Sequence, residues 1–138
     1  MYKFWGKVKK GKGRGKELGF PTANINLHKI IPEGVYISST KTGDRIFNSL
    51  TFIGNAKTFN ENVYQAESYL LDFSGNLYGK YISIKLIKKI RENLKFTSSK
   101  SLIRRMTIDK KMLECILLTH DYTSINFNRF GFGFTGYE

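Results

Sequence analysis

Apolar and polar positions alternate with a period of two over the first two-thirds of the chain. Phe4, Gly6 and Val8 alternate with lysines, Val35-Tyr36-Ile37-Ser38 is a short β-prone run, and Ile46 to Ile53 is another. Two longer runs, Tyr64 to Phe73 and Tyr78 to Ile90, are rich in Tyr, Ile, Leu and Phe. Asp72-Phe73-Ser74-Gly75-Asn76 predicts a hairpin turn between them, and Lys41-Thr42-Gly43-Asp44 predicts a turn between runs 35–40 and 46–53. Short antiparallel strands joined by tight turns predict a closed barrel or a sandwich, because closure removes exposed strand edges.

From Ser98 the period becomes helical. Leu102, Ile103, Met106, Leu113, Ile116 and Leu117 fall mostly on one face, with Arg104, Arg105, Lys110 and Lys111 largely on the other. Ser98 or Ser99 is placed to cap the first turn. The apolar stripe predicts packing onto the barrel, and Cys115 beside it is expected in the core as a small hydrophobe. Residues 119–138 follow no period. Asn126, Asn128, Gly131, Gly133 and Gly136 interrupt it, while Phe127, Phe130, Phe132, Phe134 and Tyr137 make the segment too apolar for an ordinary disordered tail. A strand, a segment lying across the barrel and a partner-binding segment all stay open.

Composition narrows the class. A chain of 138 residues with 41% hydrophobic and 14% aromatic content fits one folded domain. No apolar run is long enough to span a bilayer, and the early lysines Lys3, Lys7, Lys9 and Lys10 leave no room for a secretory h-region. Cys115 is the only cysteine, which excludes an internal disulfide and a cysteine-based zinc site, and a reducing cytoplasmic compartment is expected. The formal charge of +12 favours polyanions: nucleic acid, anionic membrane or phosphorylated small molecules. Seven Lys or Arg fall within residues 1–16 with no acid among them, and a second cluster runs from Lys85 to Arg105. A solvated basic face accounts for the same count, so charge alone does not separate these partners.

Gly11-Lys12-Gly13-Arg14-Gly15-Lys16-Glu17-Leu18-Gly19 carries the candidate chemistry. Its glycines let successive backbone N–H groups converge on an anion, and Lys12, Arg14 and Lys16 add charge to the same spot. Two phosphate motifs fail on it. A P-loop starting at Gly6 would need Ser or Thr where Gly13 stands, and a dinucleotide fingerprint would need glycine where Lys16 stands. Phe20-Pro21-Thr22-Ala23-Asn24 follows directly. In an extended segment Thr22 and Asn24 share a face, presenting a hydroxyl and an amide oxygen as hard ligands suited to Mg²⁺. Alone, the pentapeptide is equally a capped turn.

The run Gly11 to Gly19 followed by Pro21-Thr22-Ala23-Asn24 resembles the signature of the ATP-dependent riboflavin kinases (flavokinases). That family includes the C-terminal kinase module of bacterial bifunctional FAD synthetases. The resemblance continues through Pro32-Glu33-Gly34-Val35-Tyr36, Phe52-Ile53-Gly54, Glu67 to Phe73, Leu77-Tyr78-Gly79-Lys80, Ile90 to Phe96 and Leu102 to Asp109, covering roughly residues 4–117. It implies a mainly-β fold, a six-stranded antiparallel Greek-key barrel with a C-terminal α-helix. The domain is expected over 1–118, with 119–138 as a tail of unassigned role. The implied reaction transfers the γ-phosphoryl of ATP to the 5′-hydroxyl of riboflavin, giving FMN and ADP.

Placed on this chain, the resemblance makes Gly11, Gly13, Arg14, Gly15, Lys16 and Gly19 the nucleotide-covering flap. Thr22 and Asn24 match its Mg²⁺-holding positions, and Glu67 its catalytic base. A primary hydroxyl needs such a carboxylate to take its proton. Arg91 matches an arginine at the flavin end, and Phe96 and Met106 are placed near the ring system, although core packing is the stronger reading of both. Lys57 stands where the family usually has proline and Tyr69 where histidine is common, so the loop around Lys57 is expected to differ in shape. The adenylyltransferase half of the bifunctional relatives is absent, so this chain is expected to stop at FMN unless it is a fragment of a longer enzyme. A non-catalytic flavin- or nucleotide-binding module is the second reading. A basic nucleic-acid-binding barrel is the third, set lower because the basic residues cluster at the loop, where a nucleotide site wants them too.

Overall fold

A computed structural model describes residues 2–10, 19–58 and 61–119. Six strands precede one helix: β1 (Lys3–Lys7), β2 (Ala23–Asn26), β3 (Gly34–Thr42), β4 (Arg45–Thr58), β5 (Glu61–Leu70), β6 (Tyr81–Arg91) and α1 (Ser99–Thr119). All pairings are antiparallel, in the order β1-β6-β3-β4-β5-β2. Strands β3, β4 and β5 form a meander, and β6 returns to lie beside β3, which is a Greek key. The two outer strands meet at a seam. There Lys9 bridges to Asn24, and Gly6 lies so close to β2 that a Cβ on it would sit 3.2 Å from Ile25 Cβ. The barrel is nearly closed.

The turn at 41–44 is a true hairpin, with Thr42 opposite Arg45. The segment around Asp72–Asn76 is not. Strands β5 and β6 are not neighbours, and residues 71–80 cross one end of the barrel. Leu77 and Phe73 of that crossing pack into the core, the Phe73 ring standing edge-on to Phe47 at 5.2 Å. Turn residues announce a reversal of the chain, but the choice of strand partner is tertiary. Residues 55–58, where a loop of different shape was expected, continue β4, and Lys57 lies in the ladder opposite Asn62. A proline there would have withdrawn a backbone donor.

Inside the barrel, Phe4, Val8, Ile25, Tyr36, Ile53, Ala66, Ile82 and Ile84 form the main cluster. The same interior holds five buried hydroxyls joined in a ring: Ser38–Ser49–Thr40–Ser68–Thr51 and back to Ser38, at 2.7, 2.8, 2.7, 3.3 and 2.7 Å. Each hydroxyl can donate once and accept once around it, which satisfies polar groups that would be costly to bury alone.

Helix α1 packs on the outside. Leu113, Ile116 and Leu117 meet Val35, Ile37, Leu50 and Ile87, with Phe52, Tyr69, Leu71 and Ile90 at the margin. The β3–β6 pairing shifts register at two places, skipping Ile87 and Ile90, and both skipped residues join this outer cluster. Ser98 caps the helix, its Oγ accepting the Ser101 N–H at 3.2 Å. Cys115 is exposed, contrary to the sequence expectation. Two positions beyond the fully buried Leu113, it has turned about 200° around the axis, away from the barrel.

Candidate active site

Strand β2 brings the candidate residues together by register. Asn24 stands directly opposite Glu67 on β5, so both side chains project from the same, outer face. Thr22, two residues earlier, reaches the same spot, its Oγ1 donating to Glu67 Oε2 at a long 3.4 Å. The expectation that Thr22 and Asn24 share a face is met. Asn24 is buried, and its Oδ1 has no hydrogen-bond partner among the described residues. A buried amide oxygen left open beside a hydroxyl and a carboxylate suits a hard cation. No cluster of three His, Cys, Asp or Glu occurs among the described residues, so a cation here would complete its shell with water or substrate oxygens.

The approach to β2 has its own geometry. Gly19 adopts φ +88°, a conformation that favours glycine. Phe20 then sets its ring edge-on to Tyr69 at 5.5 Å, two residues from Glu67. The Tyr that departs from the family's usual histidine is thereby engaged with the segment leading into the site. Gly11, Gly13, Arg14, Gly15 and Lys16 lie outside the described residues.

A single row of paired residues links Glu67 to the far side of the sheet. Asn24 faces Glu67, Glu67 faces Phe52, Phe52 faces Val35, and Val35 faces Arg91. Three strand spacings separate Glu67 from Arg91, roughly 14 Å along the sheet, so register does not make them neighbours. Arg91 is instead engaged by α1. Its Nε and Nη2 donate to the Asp109 carboxylate at 2.9 and 2.6 Å, and Nη1 donates to the Glu92 carbonyl at 3.0 Å. Arg105 adds a second cation, its Nε 3.4 Å from Asp109 Oδ1. Asp109 is fully buried and Arg91 is 9% exposed, so this ion pair ties the end of β6 to the helix. Phe96 is half-buried in the segment before α1, and Met106 is buried on the helix.

Asp109 was not singled out from the sequence as a structural anchor. The available signal was an acid four residues after Arg105 on a helix whose neighbouring charges are basic. Gly34 belongs to the same corner. At φ +148° it leaves room for the Lys89 side chain and the Arg91 carbonyl, both of which a Cβ would strike.

Fold and site define a small Greek-key barrel that sets a carboxylate, a hydroxyl and an open amide oxygen together beside its seam. A riboflavin kinase (flavokinase) family model matches residues 1–117. The chain belongs to that family. It is 39% identical over 101 residues to a bifunctional riboflavin kinase/FMN adenylyltransferase of Haemophilus influenzae, covering 70% of this chain and 32% of that protein. Among solved structures, a protein of Streptococcus pneumoniae described as a macrolide-efflux protein superposes with a TM-score of 0.74 and 26% identity, over 81% of this chain and 38% of that one. The riboflavin kinase of Trypanosoma brucei shares the fold, with a TM-score of 0.58, 23% identity, and coverage of 85% and 80%. Curated relatives are longer, and this chain spans 17% to 34% of the length of three of them. No helix among the described residues is long and apolar enough to cross a membrane.

Proposed function

We propose that this chain catalyses transfer of the γ-phosphoryl of Mg-ATP to the 5′-hydroxyl of riboflavin, yielding FMN and ADP. The observation that carries the reading is the pairing of Glu67 with Asn24 across the ladder and its contact with Thr22, within a chain of the riboflavin kinase family. Glu67 takes the proton of the riboflavin hydroxyl as its oxygen bonds to the γ-phosphorus and the bond to the ADP oxygen breaks. Thr22 Oγ1 and Asn24 Oδ1 would hold the magnesium ion, which when bound would offset the charge on the phosphates. Gly11, Gly13, Arg14, Gly15, Lys16 and Gly19 supply backbone donors and positive charge to the nucleotide.

On the flavin side, Phe96 borders the ring system, with Met106 behind it. Arg91 acts from its pairing with Asp109, holding α1 and the segment before it against the barrel. The kinase unit comprises residues 1–118, followed by the aromatic tail 119–138. It corresponds to the kinase module of the longer relatives, and a cytoplasmic location fits the reaction.

The test is incubation with riboflavin and Mg-ATP, with flavins resolved by chromatography. Time-dependent FMN that requires a divalent cation supports the reading. Flavin binding without ATP-dependent FMN would instead identify a non-catalytic binding module.

A further inference from the structure

The outer face of β1 and β6 is unlike the rest of the barrel surface. Trp5 is 70% exposed and Tyr81 68% exposed, although both lie within strands and not at loop tips. Trp5 stands opposite Ser83 and Tyr81 opposite Lys7, which makes the two rings diagonal neighbours on one face. Lysines surround them. Lys3 and Lys7 flank Trp5 on its own strand, Lys85 stands opposite Lys3, and Lys41 of β3 stands opposite Ser83. Two ammonium groups facing each other across a ladder repel, and burial together with Lys3 pushes the Lys85 pKa down. No acid occupies this face on β1 or β6.

We propose that this face binds single-stranded nucleic acid, with Trp5 and Tyr81 as stacking platforms and Lys3, Lys7, Lys41 and Lys85 along the phosphates. Aromatic rings interleaved with cations on a sheet are what an unpaired strand needs, since every base has a face to stack and every nucleotide carries a charge. A duplex keeps its bases stacked on each other and offers the rings nothing. A protein partner is disfavoured by the chemistry, because lysine is depleted in protein interfaces while this face holds four. A membrane is disfavoured by position, because Trp5 in the middle of β1 has a lysine two residues away on either side and Tyr81 stands opposite Lys7, so the rings lie among the ammonium groups and not beyond them. The face shares no residue with the candidate active site. Trp5 lies four residues, about 13 Å of extended chain, before Lys9, which bridges to Asn24. The proposal does not depend on the kinase reading.

Trp5 is the only tryptophan in the chain, so its emission reports directly on this face. The full chain is titrated with fluorescein-labelled oligouridylate and oligodeoxythymidylate of about twelve nucleotides, within the usual site size for such folds. The expected result is saturable quenching of Trp5 together with a rise in anisotropy. Affinity should fall with salt at a logarithmic slope near −3, about −0.7 for each phosphate neutralised. Trp5→Ala and Tyr81→Ala should each weaken binding on the order of tenfold at an unchanged melting temperature, and Trp5→Phe should restore most of it. Preference for the ribo-oligomer would mean that the 2′-hydroxyl is read, and equal affinity would mean stacking and charge alone. The proposal is overturned by any of four results: no quenching, wild-type affinity in both alanine variants, equal binding of a blunt duplex or of phosphatidylserine vesicles, or complete displacement by excess Mg-ATP.

Discussion

Asn24 and Glu67 face each other across the β2–β5 ladder, the amide oxygen of the one buried and without a partner among the described residues, the carboxylate of the other accepting a long hydrogen bond from Thr22. Folding normally pairs buried polar atoms, and an unpaired acceptor costs about 1–3 kcal/mol.

Replacing Glu67 by Gln keeps the shape of the side chain and removes its ability to take a proton. Turnover of riboflavin with Mg-ATP should fall by roughly 10²–10⁴-fold, the usual contribution of a general base, while flavin binding and the melting temperature stay near wild type. Single-turnover formation of FMN measures the first and fluorescence titration the second. A Glu67→Gln protein with normal turnover would remove Glu67 from the chemistry.

Asn24→Ala should separate stability from activity. The substitution deletes a buried acceptor that has no partner among the described residues, so the melting temperature should hold or rise. Activity should drop, and the magnesium concentration giving half-maximal rate should increase. Scanning calorimetry and a magnesium titration check the two halves. A lower melting point with unchanged magnesium dependence would contradict the assignment.

The Arg91–Asp109 pair should behave as a buried ion pair. Asp109→Asn leaves two nearby guanidinium groups without their anion and should destabilise the fold by about 3–5 kcal/mol. Replacing both partners with apolar residues, as in Arg91→Met with Asp109→Leu, should recover much of the loss. Chemical denaturation of the two variants distinguishes charge pairing from simple packing.

Gly34→Ala should be costly for its size. Its Cβ would lie 2.9 Å from the Arg91 carbonyl oxygen and press on the Lys89 side chain, at a φ of +148° that other residues avoid. A loss of roughly 1–3 kcal/mol is expected, and activity should fall in parallel as the end of β6 is displaced.

Tyr36 should make stability fall in alkali. Burial, with smaller effects of Tyr2, Glu92 and Tyr64, raises its pKa above the ordinary phenol value, and its hydroxyl donates to the Pro32 carbonyl at 2.6 Å. The unfolded chain ionises first. The contribution is therefore complete below the unfolded pKa, declines above it, and is lost as pH passes through the folded value. Tyr36→Phe should flatten that part of the stability–pH curve measured by urea denaturation.

Much of this structure was legible in the sequence because period reports face. The alternation around Phe4, Val35 and Ile82 and the helical stripe from Leu102 are local properties of the chain, and Thr22 and Asn24 follow the same rule. Pairing is not local. The reversal at Asp72–Asn76 was legible, while the passage of that segment across the barrel end depends on where Phe47 and Leu77 come to rest. Arg91 was assigned by resemblance to the flavin end, and its engagement by Asp109 could not be read without knowing how α1 docks. Cys115 was misplaced for a simpler reason. Adjacent to a stripe in sequence is not adjacent in angle, and two residues of helix rotate a side chain away from the core.

The ring of Ser38, Ser49, Thr40, Ser68 and Thr51 has a mechanical consequence. A slip of β5 against β4 by one residue would turn Ser68 out of the interior, and a slip by two would carry it past both of its partners. The ring therefore works as a register lock across three strands, and the residue it fixes most directly is the neighbour of Ser68, Glu67. Shear between these strands must break the ring, so the backbone that carries Glu67, the ladder partner of Asn24, is held in register from inside the barrel.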